Sequence, residues 1–151
     1  MNQTFETIRV SRKLTSQFLE NYSLEQLNKI PEGFNNNIIW NIAHVIVTQQ
    51  LLVYKLSGLP MMVSDELVDK YRKGTKPDGA ISQTELDEIK SLLFETINQT
   101  EADYNAKVFK SYNELTTSLG FTLNDIEDAL PFNNYHEALH VGIMMSIQKF
   151  I

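Results

Sequence analysis

From Ile38 to Ser57 the chain offers almost no polar face. Ile, Val, Leu, Trp and Tyr side chains fall all round the circumference that a helix would present there. The β-branched run also suits a strand, but about twenty residues without a turn signal is too long for one. Asn37 is placed to cap the start of this helix, and Gly58 and Pro60 to close it. A helix apolar nearly all round must be surrounded by other elements, so this stretch predicts the most buried helix of a helical fold.

Three further helical patterns can surround it. The first runs from about Thr4 to Tyr22, with Phe5, Ile8, Thr15, Leu19 and Tyr22 at 3/4 spacing and Val10, Leu14 and Phe18 widening the stripe. Ser23 and Gln26 form a capping-box pattern for a short helix after it. Ser82 and Glu85 open another long helix that extends to about Val108. The last segment runs from about Leu123 to the end, with a break or kink expected near Leu130 because Pro131 removes a helical hydrogen bond. Between the second and third long helices lie about twenty residues with one helical turn, Ser64 to Lys70, a length typical of crossovers and binding loops. Phe109 to Phe121 reads as a connection, and no clear strand or internal repeat is visible. The expectation is an all-α fold of four long helices packed as a bundle, in one domain spanning residues 1–151.

Charge and composition narrow the function. A net charge of −6 offers no basic patch for phosphates, so nucleic acid is not an expected partner. No apolar run is long enough to span a membrane, and the polar start, Met1 to Val10, shows no signal-peptide core. With no cysteine, disulfides, thiolate ligands and a cysteine nucleophile are excluded, and a cytoplasmic location is the expectation.

The chemistry concentrates in Tyr135-His136-Glu137-Ala138-Leu139-His140-Val141-Gly142. His136 and His140 are four residues apart, so on a helix they project from one face and can chelate one divalent cation. The third histidine, His44, lies on the apolar second helix, with Trp40 and Thr48 one turn to either side. Three neutral imidazoles with open positions suit a catalytic metal ion. A lone histidine on an apolar helix is equally at home as a core residue hydrogen-bonded to a carbonyl. Gly142 would let a neighbouring backbone approach closely.

His136-Glu137-x-x-His140 also matches the zinc-protease signature, in which the glutamate is the general base. That reading fails on the third ligand, because Val141 to Ile151 contains no Asp, Glu or His. Glu137 sits about 100° round the helix from His136, so it is either a base or, pointing away, a surface carboxylate or a partner in a dimer salt bridge. Thr48 and Asn133 share faces with the histidines and are candidates for groups that support a bound ion. Tyr71 and Arg72, in the long connection, are candidate substrate contacts.

Trp40-Asn41-Ile42-Ala43-His44, followed by Asn133-Asn134-Tyr135-His136-Glu137-Ala138-Leu139-His140-Val141-Gly142-Ile143, resembles the DinB-like (YfiT-type) superfamily, with its W-x-x-x-H on the second helix and H-x-x-x-H-x-G on the last. The resemblance covers essentially the whole chain. It implies an up-down-down-up four-helix bundle in which His44, His136 and His140 bind one divalent metal, commonly zinc or nickel, and frequent homodimers. Several relatives are thiol transferases or isomerases that use bacterial low-molecular-weight thiols, so a small-molecule substrate is implied. A non-catalytic metal- or ligand-binding module is the alternative. Many relatives carry Arg or Lys where this chain has Val141 and Gln where it has Ile143, which implies a different substrate preference.

Overall fold

The computed structural model describes residues 2–151 and is all-α apart from one short strand pair. Helix α1 spans Asn2–Asn21, α2 Leu24–Asn28, α3 Ile38–Gln50, α4 Asp65–Tyr71, α5 Gln83–Asn105 and α6 Ile126–Ile147. Local cap chemistry sets most of the starts. Ser23 and Gln26 form a reciprocal capping box at α2. The side chains of Asn37, Ser64, Ser82 and Asp125 each accept the N–H three residues on, those of Trp40, Leu67, Glu85 and Asp128, in the first turns of α3, α4, α5 and α6.

Each of the four long helices packs against two of the other three: α1 on α5 and α6, and α3 on α5 and α6. Helix α3 is the centre of the core, as its all-round apolarity predicts. Every residue from Ile38 to Gln50 is buried except Thr48, which is half-buried. Helix α4 packs on α3 and fills the long connection.

Val10 and Leu14 do not widen the buried stripe of α1. Both are exposed, and Arg12 occupies the core between Ile8 and Thr15. The second helix does not stay α-helical to Ser57. It passes into a π-helical turn at Leu51–Lys55, where the N–H of Leu56 reaches back five residues to the carbonyl of Leu51. A strand pair also exists: Leu115–Thr116 (β1) lies antiparallel to Thr122–Leu123 (β2).

Pro131 does not break the last helix, which runs unbroken from Ile126 to Ile147. As its sixth residue, Pro131 forfeits one bond, to the Glu127 carbonyl, close to an end where N–H groups are unpaired anyway. No backbone uses the space at Gly142, where an added Cβ would meet nothing within 4 Å.

Candidate metal centre

The apolar face of α3 and the inner face of α6 bring the three histidines together. His44 comes from the middle of α3, His136 and His140 from successive turns of α6. Their ring centroids form a triangle of 5.2, 4.7 and 4.6 Å. One potential ligand atom from each ring lies within 4.8 Å of the others. A tetrahedral ion with metal–nitrogen bonds of about 2.1 Å sets its ligands roughly 3.4 Å apart, so the rings need draw in only by an ångström or so.

Two of the rings are oriented by their outer nitrogens. His44 Nδ1 lies 2.6 Å from the carbonyl oxygen of Tyr71, which can only accept. That carbonyl is in the last turn of α4, where helical carbonyls lack a partner of their own. His44 is therefore the Nδ1–H tautomer, with the Nε2 lone pair facing inward. His140 Nδ1 lies 2.7 Å from Asn41 Oδ1. The Asn41 amide cannot be reversed, because its Nδ2 donates to Asn36 Oδ1 at 2.9 Å and to the Asn37 carbonyl at 2.7 Å. His140 therefore also carries its proton on Nδ1 and offers Nε2. Outer acceptors of this kind are what metal-binding histidines use to fix ring and tautomer.

Burial holds the rings neutral. It pushes His140 down to about 3, with repulsion from His136 and His44 adding to the effect. His136 falls to about 4 by burial and then by repulsion from His44. His44 is lowered by burial, partly opposed by its bond to the Tyr71 carbonyl. Three neutral imidazoles converging on one point, with two outer nitrogens already satisfied, fit a divalent cation.

Trp40 stacks on His44 from one turn earlier, with centroids 4.6 Å apart and planes at 9°. Its indole N–H donates to Thr75 Oγ at 3.2 Å, and the Thr75 hydroxyl is within reach of the Lys70 and Arg72 carbonyls. The loop after α4 is thus tied to the ring wall. The Thr48 hydroxyl donates to His44 Nε2 at 3.4 Å, which places it beside the inward-facing nitrogen.

Glu137 has its carboxylate held by Arg12 and Asn133. It is buried, not a surface carboxylate, and it is not free to face the imidazoles. Arg12 Nε donates to both its oxygens at 3.1 and 2.9 Å, and Arg12 Nη2 donates to Oε1 at 2.7 Å. Asn133 Nδ2 adds a bond of 2.9 Å to the same carboxylate. The other terminal nitrogen of Arg12 donates to the Leu93 carbonyl at 2.9 Å. Tyr71, expected as a substrate contact, is buried, with its hydroxyl on Glu85 and its carbonyl on His44. Arg72 is exposed beside Asp69.

Sequence reasoning did not assign Asn41, the Tyr71 carbonyl or Arg12. A signal existed for Arg12, since Phe5, Ile8, Arg12, Thr15 and Leu19 continue one 3/4-spaced stripe. The Tyr71 carbonyl left none.

No curated protein matches the chain. The sequence profile of the DinB superfamily matches residues 7–144, a span that takes in all three histidines together with Asn41, Tyr71, Arg12 and Glu137. With that match extending from α1 through nearly all of α6, the chain belongs to the DinB superfamily.

Proposed function

We propose that the protein is a metal-dependent enzyme acting on a small molecule, with His44, His136 and His140 holding one divalent ion, zinc or nickel. The observation that carries the reading is the pair of outer acceptors, the Tyr71 carbonyl and Asn41 Oδ1, which commit two rings to present Nε2 to a common point. The DinB superfamily commonly binds metal, which supports the same assignment. We take α1, α3, α5 and α6 as an up-down-down-up four-helix bundle, in keeping with each packing on two of the other three.

A bound ion of this type supplies Lewis acidity, lowering the pKa of a coordinated thiol or water. The chain has no cysteine, so a thiol-transfer reaction takes its nucleophile from a low-molecular-weight thiol cosubstrate. Thr48 stands where its hydroxyl can orient a group bound beside His44. With its carboxylate engaged by Arg12 and Asn133, Glu137 is better suited to anchoring α6 than to accepting a proton.

The second reading is a non-catalytic metal- or ligand-binding module. It draws on the fact that all three ligands come from two helices, so that an ion would staple α3 to α6. One experiment separates the two. Chelator-treated and zinc- or nickel-reconstituted protein are compared for conjugation of a thiol to an electrophile such as monochlorobimane, with His136→Ala as control. Turnover that needs both metal and His136 supports the enzyme. Equal rates with and without metal leave the binding module.

A further inference from the structure

Five buried side-chain polar atoms among the described residues have no hydrogen-bond partner, and two of them are Asn133 Oδ1 and His136 Nδ1. The two residues are three apart on α6, a spacing that sets side chains next to one another on a helix. One atom can only accept, and the other donates whenever the ring carries its proton on Nδ1. Each is what the other lacks.

We propose that Asn133 is the positioning residue that holds His136 as its Nδ1–H tautomer, and that the buried Arg12–Glu137 pair keeps Asn133 aimed. This deepens the three-histidine metal reading and rests on it. The orientation of the Asn133 amide is fixed from behind. Its Nδ2 donates to Glu137 Oε1, and a carboxylate bonded to a guanidinium has no proton to give back, so the amide cannot reverse. Oδ1 is therefore turned away from Glu137. Arg12 and Glu137 are both essentially inaccessible to solvent, so the anchor is rigid.

The two atoms are not bonded in the structure. The contact we propose between them is direct or passes through one bridging water. With that contact made, every ring has an outer acceptor: the Tyr71 carbonyl for His44, Asn41 for His140 and Asn133 for His136. All three then offer Nε2 to the same ion. It also gives the Arg12–Glu137 pair a role at the metal site without making Glu137 a base.

The test uses the full chain and zinc alone. Long-range proton–nitrogen NMR of the imidazoles reports which nitrogen of His136 is protonated and which is bound by zinc. The expected pattern in wild type is protonated Nδ1 and zinc-bound Nε2. Asn133→Ala should lose the single-tautomer pattern in the metal-free protein and weaken zinc binding about 10- to 100-fold. Arg12→Met/Glu137→Met, which replaces the ion pair with apolar side chains of similar length, should weaken it about 10-fold while the fold is kept.

Adding Asn133→Ala to that pair should bring no further loss beyond Asn133→Ala alone, because the pair acts only through Asn133. A purely structural role predicts additive losses, and additivity would overturn the proposal. So would zinc found on His136 Nδ1, or an unchanged tautomer in Asn133→Ala. If wild type binds no zinc, the metal reading fails, and the metal-free tautomer pattern still decides whether Asn133 holds His136.

Discussion

The indole of Trp40 lies flat on the imidazole of His44, 4.6 Å away and 9° from parallel, and that imidazole is the α3 contribution to the three-histidine cluster. Trp40 is the only tryptophan in the chain. Its emission is therefore a direct reporter of events at His44.

Titration with zinc should change Trp40 fluorescence and saturate at one ion per chain. Nickel, an open-shell ion, should quench it. His44→Ala should remain folded, keep its tryptophan and lose most of the binding. If His44→Ala binds as tightly as wild type, measured by metal analysis after gel filtration, the three-histidine site is wrong.

Asn41 offers a sharper test of the outer acceptors. Asn41→Leu keeps size and burial but leaves His140 Nδ1–H without a partner. Metal affinity should fall about 10- to 100-fold, with little change in the far-UV circular dichroism. An unchanged affinity would mean that ring orientation is set by packing alone.

Acid should act on the metal-free protein through the same rings. An unfolded histidine titrates near pH 6.5, whereas in the fold His136 is held at about 4 and His140 at about 3, chiefly by burial. Below pH 6.5 the unfolded chain binds more protons than the folded one, so stability must fall as pH falls. The contribution is fully present above about 6.5 and is lost progressively toward pH 4 and 3. Denaturant midpoints at pH 7.5, 6 and 5 should decline more steeply for wild type than for His136→Leu/His140→Leu. Parallel slopes would show that the cluster is not what acid attacks.

How much of this was legible beforehand depends on how local each cause is. The caps at Ser23, Asn37 and Ser82 are chemistry between residues three apart, and they appear where the sequence puts them. The histidine cluster was legible because two members lie one turn apart on the same helix face and the third lies in the most apolar stretch. The π-helical turn was hidden, since Leu51–Lys55 is as apolar as the α-helix before it. The strand pair was hidden because two-residue strands carry no periodicity. Arg12 and Glu137 are 125 positions apart, so although Arg12 continues the 3/4-spaced stripe of α1, nothing local pairs it with Glu137.

Breaking that pair should be costly in a way that removing it is not. Arg12→Met alone strands a buried carboxylate, and Glu137→Met alone strands a buried guanidinium. Each should cost about 3–5 kcal/mol in urea unfolding. Replacing both with methionine should recover most of the loss, because two desolvated charges go together. A double variant as unstable as the worse single one would show that the remaining bonds, from Arg12 to the Leu93 carbonyl and from Asn133 to Glu137, matter more than charge balance.

The last prediction concerns assembly, where we propose a homodimer. Between Glu137 and Lys149 helix α6 carries no formal charge apart from what His140 can take up. Its outer face presents Tyr135, Leu139 and Ile143 to solvent at one-turn spacing, with Ala138, Gly142 and Ser146 beside them. An exposed stripe of this kind, with small residues that permit close approach, is better covered than wet. A C2 pairing would set α6 against its own copy, so one substitution places two like charges in the interface. Light scattering at micromolar concentration should give a dimer for wild type. Leu139→Lys and Ile143→Lys should each shift the mass toward monomer while zinc binding persists, since neither residue is a ligand. A monomeric wild type would count against the dimer, and a dimer untouched by both lysines would move the interface to another face.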